Sequence, residues 1–169
     1  MSARHLILLV AAGAALAACE TVPMGDYDPG AGPSAAAFNP GDFAWSTHPG
    51  RGSIDGRVAF SRDGQSFECT GSVALTPDTP YTRARFRTLY GSTDRAAIPE
   101  AVVRARTVPD PNADYRSFVR STTCQNGRFE FTGLPDGDWF IITPVSAGGD
   151  RIVLMRHIGT RGGRVSVTL

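Results

Sequence analysis

Few residues in this 169-residue chain are of a type and spacing that performs chemistry. Beyond the N-terminal apolar segment there are two histidines, His48 in a stretch rich in proline and glycine and His157 near the end of a strand-like run. Covalent catalysis needs a nucleophile within hydrogen-bond reach of a base, and no GxSxG, HExxH or SxxK arrangement supplies one. Asp136 and Asp138 flank Gly137 and could offer oxygen ligands to calcium, but no further spaced acids complete a coordination shell. They read as a solvated turn, so neither a metal nor a cofactor is expected. His157 reads as a satisfied strand histidine, and the chain as a non-enzyme. The competing enzymatic reading is a small periplasmic hydrolase in which the fold brings His157 within about 3 Å of both a hydroxyl and a carboxylate.

Three cysteines remain. Arg4 provides a positive start, Leu6 to Ala18 form an apolar core, and Leu16-Ala17-Ala18-Cys19 closes it with small residues, the pattern of a secretory signal over 1–18. A membrane span needs about 20 apolar residues, so this stretch is too short to remain as an anchor. The same four residues resemble the lipobox of bacterial lipoproteins. That resemblance implies cleavage before Cys19, a lipid on its sulfur, and the bilayer as a partner. It implies a bacterial cell envelope address, at the outer membrane or the periplasmic face rather than in the cytoplasm. Outside the reducing cytoplasm, Cys69 and Cys124 are read first as a disulfide. Closing a loop of about 55 residues contributes up to roughly 4 kcal/mol on the chain-entropy estimate.

A formal charge of +1 gives no bulk attraction to nucleic acid. Every basic residue is arginine, the better side chain for gripping carboxylate or phosphate. From Glu20 to about Gly52, proline or glycine recurs every few residues with no sustained period. Residues 19–52 are therefore expected to form a flexible tether, starting at the Cys19 that the lipobox resemblance implies is lipidated. Phe38, Phe43 and Trp45 are its exceptions, either docking on the following domain or standing exposed for recognition.

The domain is expected over 53–169, where the period becomes 2. Ile54, Gly56, Val58 and Phe60 alternate with polar or small residues, and Asp63-Gly64 supplies a hairpin turn. Phe67, Cys69, Gly71, Val73 and Leu75 share the next inward face. Ala84, Phe86, Thr88 and Tyr90 alternate with Arg83, Arg85 and Arg87. Later strands are expected at Tyr115 to Thr123, Arg128 to Thr132, Trp139 to Val145, Arg151 to His157 and Arg164 to Leu169. Seven or eight short strands at such spacing indicate an all-β antiparallel sandwich. The stretch 91–114 resists this pattern and reads as a loop with one short helix or an edge strand.

The segment Asn126-Gly-Arg-Phe-Glu-Phe-Thr-Gly-Leu-Pro-Asp-Gly-Asp-Trp139 also resembles a signature of carboxypeptidase regulatory-like domains, the transthyretin-like sandwich modules, with Trp139 where the family has tyrosine. The runs GSIDGRVAF, SVALTP and GRVSVTL look like further strands of that module. The resemblance implies an Ig-like Greek-key sandwich that binds or braces without carrying chemistry. The resulting expectation is a membrane-anchored envelope lipoprotein whose sandwich is a binding or scaffolding module for an envelope protein or a glycan. A purely structural spacer is the other alternative. The period of 2 in Arg83, Arg85 and Arg87 puts all three on one outward strand face, a candidate surface for an acidic glycan or acidic protein.

Overall fold

The computed structural model describes residues 36–69, 71–108 and 114–169. The signal segment and Cys19 lie outside the described residues. Eleven strand segments follow one another: β1 (Gly52–Arg57), β2 (Ser61–Arg62), β3 (Gln65–Ser66), β4 (Glu68–Cys69), β5 (Gly71–Pro77), β6 (Arg95–Pro99), β7 (Arg120–Cys124), β8 (Arg128–Leu134), β9 (Gly137–Ala147), β10 (Asp150–Thr160) and β11 (Arg164–Thr168). Two helices, α1 (Pro80–Tyr90) and α2 (Glu100–Ala105), flank β6 in sequence. One sheet is ordered β11-β1-β8 and the larger β6-β10-β9-β5-β7, with β4 also on β9. The fold is thus the expected β-sandwich. Every pairing is antiparallel except that of β1 with β11, which runs parallel from Ser53↔Arg164 to Arg57↔Thr168.

Side-chain parity follows the sequence closely in the inner core. Ile54, Phe67, Cys69, Val73, Leu75, Phe129, Phe131 and Trp139 are all buried in one cluster between the sheets. The alternation breaks at Gly71, which is exposed at a φ of 103° where β5 begins. Asp63-Gly64 and Asn126-Gly127 turn with both residues at positive φ, as two-residue hairpins of this twist require. The second of these carries the chain from β7 in the larger sheet to β8 in the smaller. Just before that crossing, Cys124 turns inward and is bonded to Cys69, with Cα atoms 6.0 Å apart. The disulfide therefore staples β7 to β4 at the edge of the core.

The expected strand carrying Arg83, Arg85 and Arg87 is instead helix α1. Thr79 caps it: its hydroxyl accepts from the Thr82 amide while the Thr82 hydroxyl accepts from the Thr79 amide. Pro80 occupies the first turn, where its missing N–H costs nothing. Gly91 ends the helix in the left-handed conformation at φ 73°. Thr82, Phe86 and Tyr90, four apart, form its buried face. At 100° per residue the three arginines cannot share a face, and the proposed row of charges does not exist.

That helix adds a third layer. Phe140, Val153 and Met155 point away from the inner core and pack with Phe86 and Tyr90 of α1. Strands β9 and β10 are consequently buried on both faces. The stretch 91–114 supplies the edge strand β6 and the short helix α2, where Glu100 accepts from Arg104 and pairs with Arg151 of β10. The first half of the strand expected from Tyr115 is a 3-10 turn, Asp114–Phe118, with the Ser117 hydroxyl bonded to the Asp114 carbonyl.

The folded body also begins earlier than Ser53. Pro40–Thr47 form a 3-10 helix capped by Asn39, whose side chain accepts from the Gly41 amide. Phe43 is fully buried, among Phe38, Tyr81 and Phe118. Burial of one aromatic of this size is worth about 2–3 kcal/mol, and Trp45 packed on Trp139 adds to it in holding the segment down. Within 36–52, the docking alternative is the one observed.

Candidate functional site

The β8–β9 turn, Pro135 to Asp138, stands at one end of the sandwich. Thr160 holds it from β10, donating its hydroxyl to the Pro135 carbonyl at 2.7 Å and accepting from the Trp139 indole at 3.1 Å. Arg161 donates to the Gly137 carbonyl at 3.1 Å and to the Asp138 carboxylate at 3.0 Å. Trp45, brought by the upstream 3-10 helix, meets Trp139 edge-on with centroids 4.8 Å apart. Its ring also lies on Gly137, where a Cβ would come within 2.0 Å of it. Only glycine lets the two segments approach this closely.

The turn, Trp45 and the start of α1 enclose an open groove of about 600 Å3 lined by Trp45, Asp78, Thr79, Arg83, Asp136 and Asp138, among others. Asp78 forms its best-anchored wall. Its side chain is 4% exposed and receives Nε2 of His157 at 2.7 Å and Nε of Arg83 at 3.1 Å, with a second Arg83 nitrogen on its other oxygen. Its amide donates to the Asp138 carbonyl at 2.8 Å, linking the helix start to the turn. A nearly buried carboxylate bonded by both an imidazole and a guanidinium is held in one orientation. Asp136, by contrast, is exposed and has no hydrogen-bonded partner among the described residues.

The sequence-predicted residues divide across this geometry. His157 has the carboxylate a catalytic histidine would need, but no hydroxyl bonds its ring among the described residues. Asp136 and Asp138 both line the groove, and among the described residues no group of three or more His, Cys, Asp or Glu is arranged to hold a metal. Arg83 is on the groove wall, paired with Asp78. Arg85 lies instead over the Tyr115 ring, 5.2 Å from its centroid, and Arg87 is exposed on α1 without an ion pair among the described residues. Sequence reasoning missed Asp78 and the place of Trp45 in the wall. For Asp78 the available signal was its position just before Thr79-Pro80, a helix start that puts the carboxylate beside the first turn.

No family model matches the chain, and no curated protein matches it. Among solved structures it is similar to a Pseudomonas aeruginosa protein provisionally described as carbohydrate binding, at 24% identity and a TM-score of 0.48, over 78% of this chain and 97% of that one.

Proposed function

We propose that this is a non-catalytic lipoprotein of the bacterial envelope, held to a membrane through acylated Cys19, and that its regulatory-like sandwich binds a neutral glycan in the groove at the Pro135–Asp138 end. The reading rests on the groove's own residues. An indole presents a flat apolar surface suited to the C–H face of a sugar ring, while carboxylates accept from hydroxyls and a guanidinium donates to them. Trp45 beside Asp78, Asp136 and Arg83 is the observation that carries it. With Asp78 paired to Arg83 and Asp138 to Arg161, Asp136 is the carboxylate left without a cationic partner among the described residues, which favours a hydroxyl-rich neutral ligand over the acidic glycan that the arginine row suggested.

Titration of the soluble domain with neutral oligosaccharides of differing linkage, read by tryptophan fluorescence and calorimetry, tests the ligand. Binding should fall about tenfold in Asp136→Asn, an exposed change that leaves the fold intact, and further in Trp45→Ala. Retained affinity in both variants, or no affinity for any neutral oligosaccharide, overturns the groove assignment. For the anchor, Cys19→Ser should move the protein out of the detergent phase, and unchanged partitioning would sink lipid attachment.

A further inference from the structure

On the outer face of the larger sheet, between α1 and β7, lies a second, separate cavity of about 320 Å3. That is at the small end of the roughly 300–1,000 Å3 typical of ligand pockets. Phe86 and Leu89 of α1 and Ile142 of β9 make its apolar wall, and Tyr90, Tyr115 and Arg116 its polar side. Arg116 is exposed and has no ion pair among the described residues. Arg85 precedes Phe86 in sequence and lies over the Tyr115 ring at 5.2 Å, with Nε and Nη1 buried and without hydrogen-bond partners among the described residues. Two buried guanidinium donors without partners carry a desolvation cost that the Tyr115 ring offsets only in part. No carboxylate pairs with Arg85 among the described residues, so its charge is left to act on an anion placed beside the Tyr115 ring. Burial, then the neighbouring Tyr115, raise the Tyr90 phenol to about 12, partly opposed by Arg85, so its hydroxyl remains a donor at neutral pH.

We infer that this cavity is a second binding site, for a small monocarboxylate with an apolar body such as an aryl or short acyl acid. The body fills the space between Phe86, Leu89 and Ile142. The carboxylate lies on the Tyr90–Tyr115 side, contacts Arg116, and offsets the charge of Arg85 across the Tyr115 ring. A neutral sugar fits it poorly, since much of the wall is apolar. The site is independent of the groove and stands whether or not the groove binds a glycan.

The probes are phenylacetate and its uncharged isostere phenylacetamide, titrated into the isotopically labelled protein at neutral pH. Phenylacetate should bind about tenfold more tightly than the amide, with backbone shifts at Thr76, Tyr90 and Ser121 rather than at Trp45 or Asp136. Arg116→Gln, an exposed change, should erase that preference without altering the melting temperature. Arg85→Gln should erase it too while raising or preserving the melting temperature, because a partly compensated buried charge has been removed. Equal affinity for acid and amide, shifts confined to the groove, or no binding of phenylacetate in the millimolar range would overturn the assignment.

Discussion

Strands β9 and β10 present two buried faces that differ in how they are filled. On the inner face Trp139, Ile141, Val145, Ile152 and Leu154 meet a second sheet and are closed at the edge by the disulfide. On the outer face Phe140, Val153 and Met155 meet Phe86 and Tyr90 of the eleven-residue helix α1 and Val103 of the short helix α2, with a cavity left beside α1. A sheet covers a sheet along its whole length, whereas two short helices cover stripes about 10 Å wide. The inner face therefore specifies the fold. The outer face and the sandwich end, where coverage is partial, are where polar side chains gather around open space.

The largest separation of the two faces should come from Trp139→Ala, which empties the inner core and removes the seat of Trp45. It should cost about 3–5 kcal/mol in denaturant unfolding, and Phe86→Ala on the outer face should cost less because its neighbours can relax into the cavity. Equal losses would erase the distinction between the faces. Next, replacing Cys69 and Cys124 by serine should cost up to roughly 4 kcal/mol with no effect on the groove, measured as midpoint against sugar affinity. A smaller effect tests the outer face by pH. Tyr90 is protonated below its ordinary value of 10 in both folded and unfolded chains, but holds its proton to about 12 when folded. Its stabilising share is thus complete below about pH 10 and is lost as pH rises to about 12, a decline of about 2–3 kcal/mol that Tyr90→Phe should remove. Smallest of all, Arg87→Ala should shift stability by less than about half a kcal/mol and leave affinity for either ligand unchanged, and a clear loss of binding would restore the arginines as a partner surface.

The inner face was legible in the sequence because period-2 alternation and turn chemistry are local. Phe67, Cys69, Val73 and Leu75 alternate as the core requires, and Asp63-Gly64 and Asn126-Gly127 name their own turns. Helix α1 was misread because periods of 2 and 3.6 coincide at every fourth residue, so Phe86 and Tyr90 satisfy both. Only Thr79-Pro80 before and Gly91 after could break the tie. The helical layer had a trace as well: Trp139 to Ile142 and Ile152 to Met155 are unbroken apolar runs, the mark of strands covered on both faces. The groove had almost none. It joins Trp45, Asp78 and the 136–138 turn from three distant segments, and no local spacing encodes that meeting.

The parallel pairing of β1 with β11 has a kinetic consequence. It joins segments far apart in sequence, Ser53 with Arg164, so the small sheet closes only by bringing the two ends of a long loop together. The β9–β10 pair, by contrast, needs only the Gly148-Gly149 turn. Contacts this distant in sequence carry a large loop-closure entropy before they yield any enthalpy, which sets refolding on the millisecond-to-second side of the two-state range. Until β11 arrives, one edge of β1 offers unpaired amides and carbonyls to any neighbouring chain. Aggregation during refolding should therefore rise with protein concentration, and loss of the Asp55–Arg164 pair across β1 and β11 should increase it.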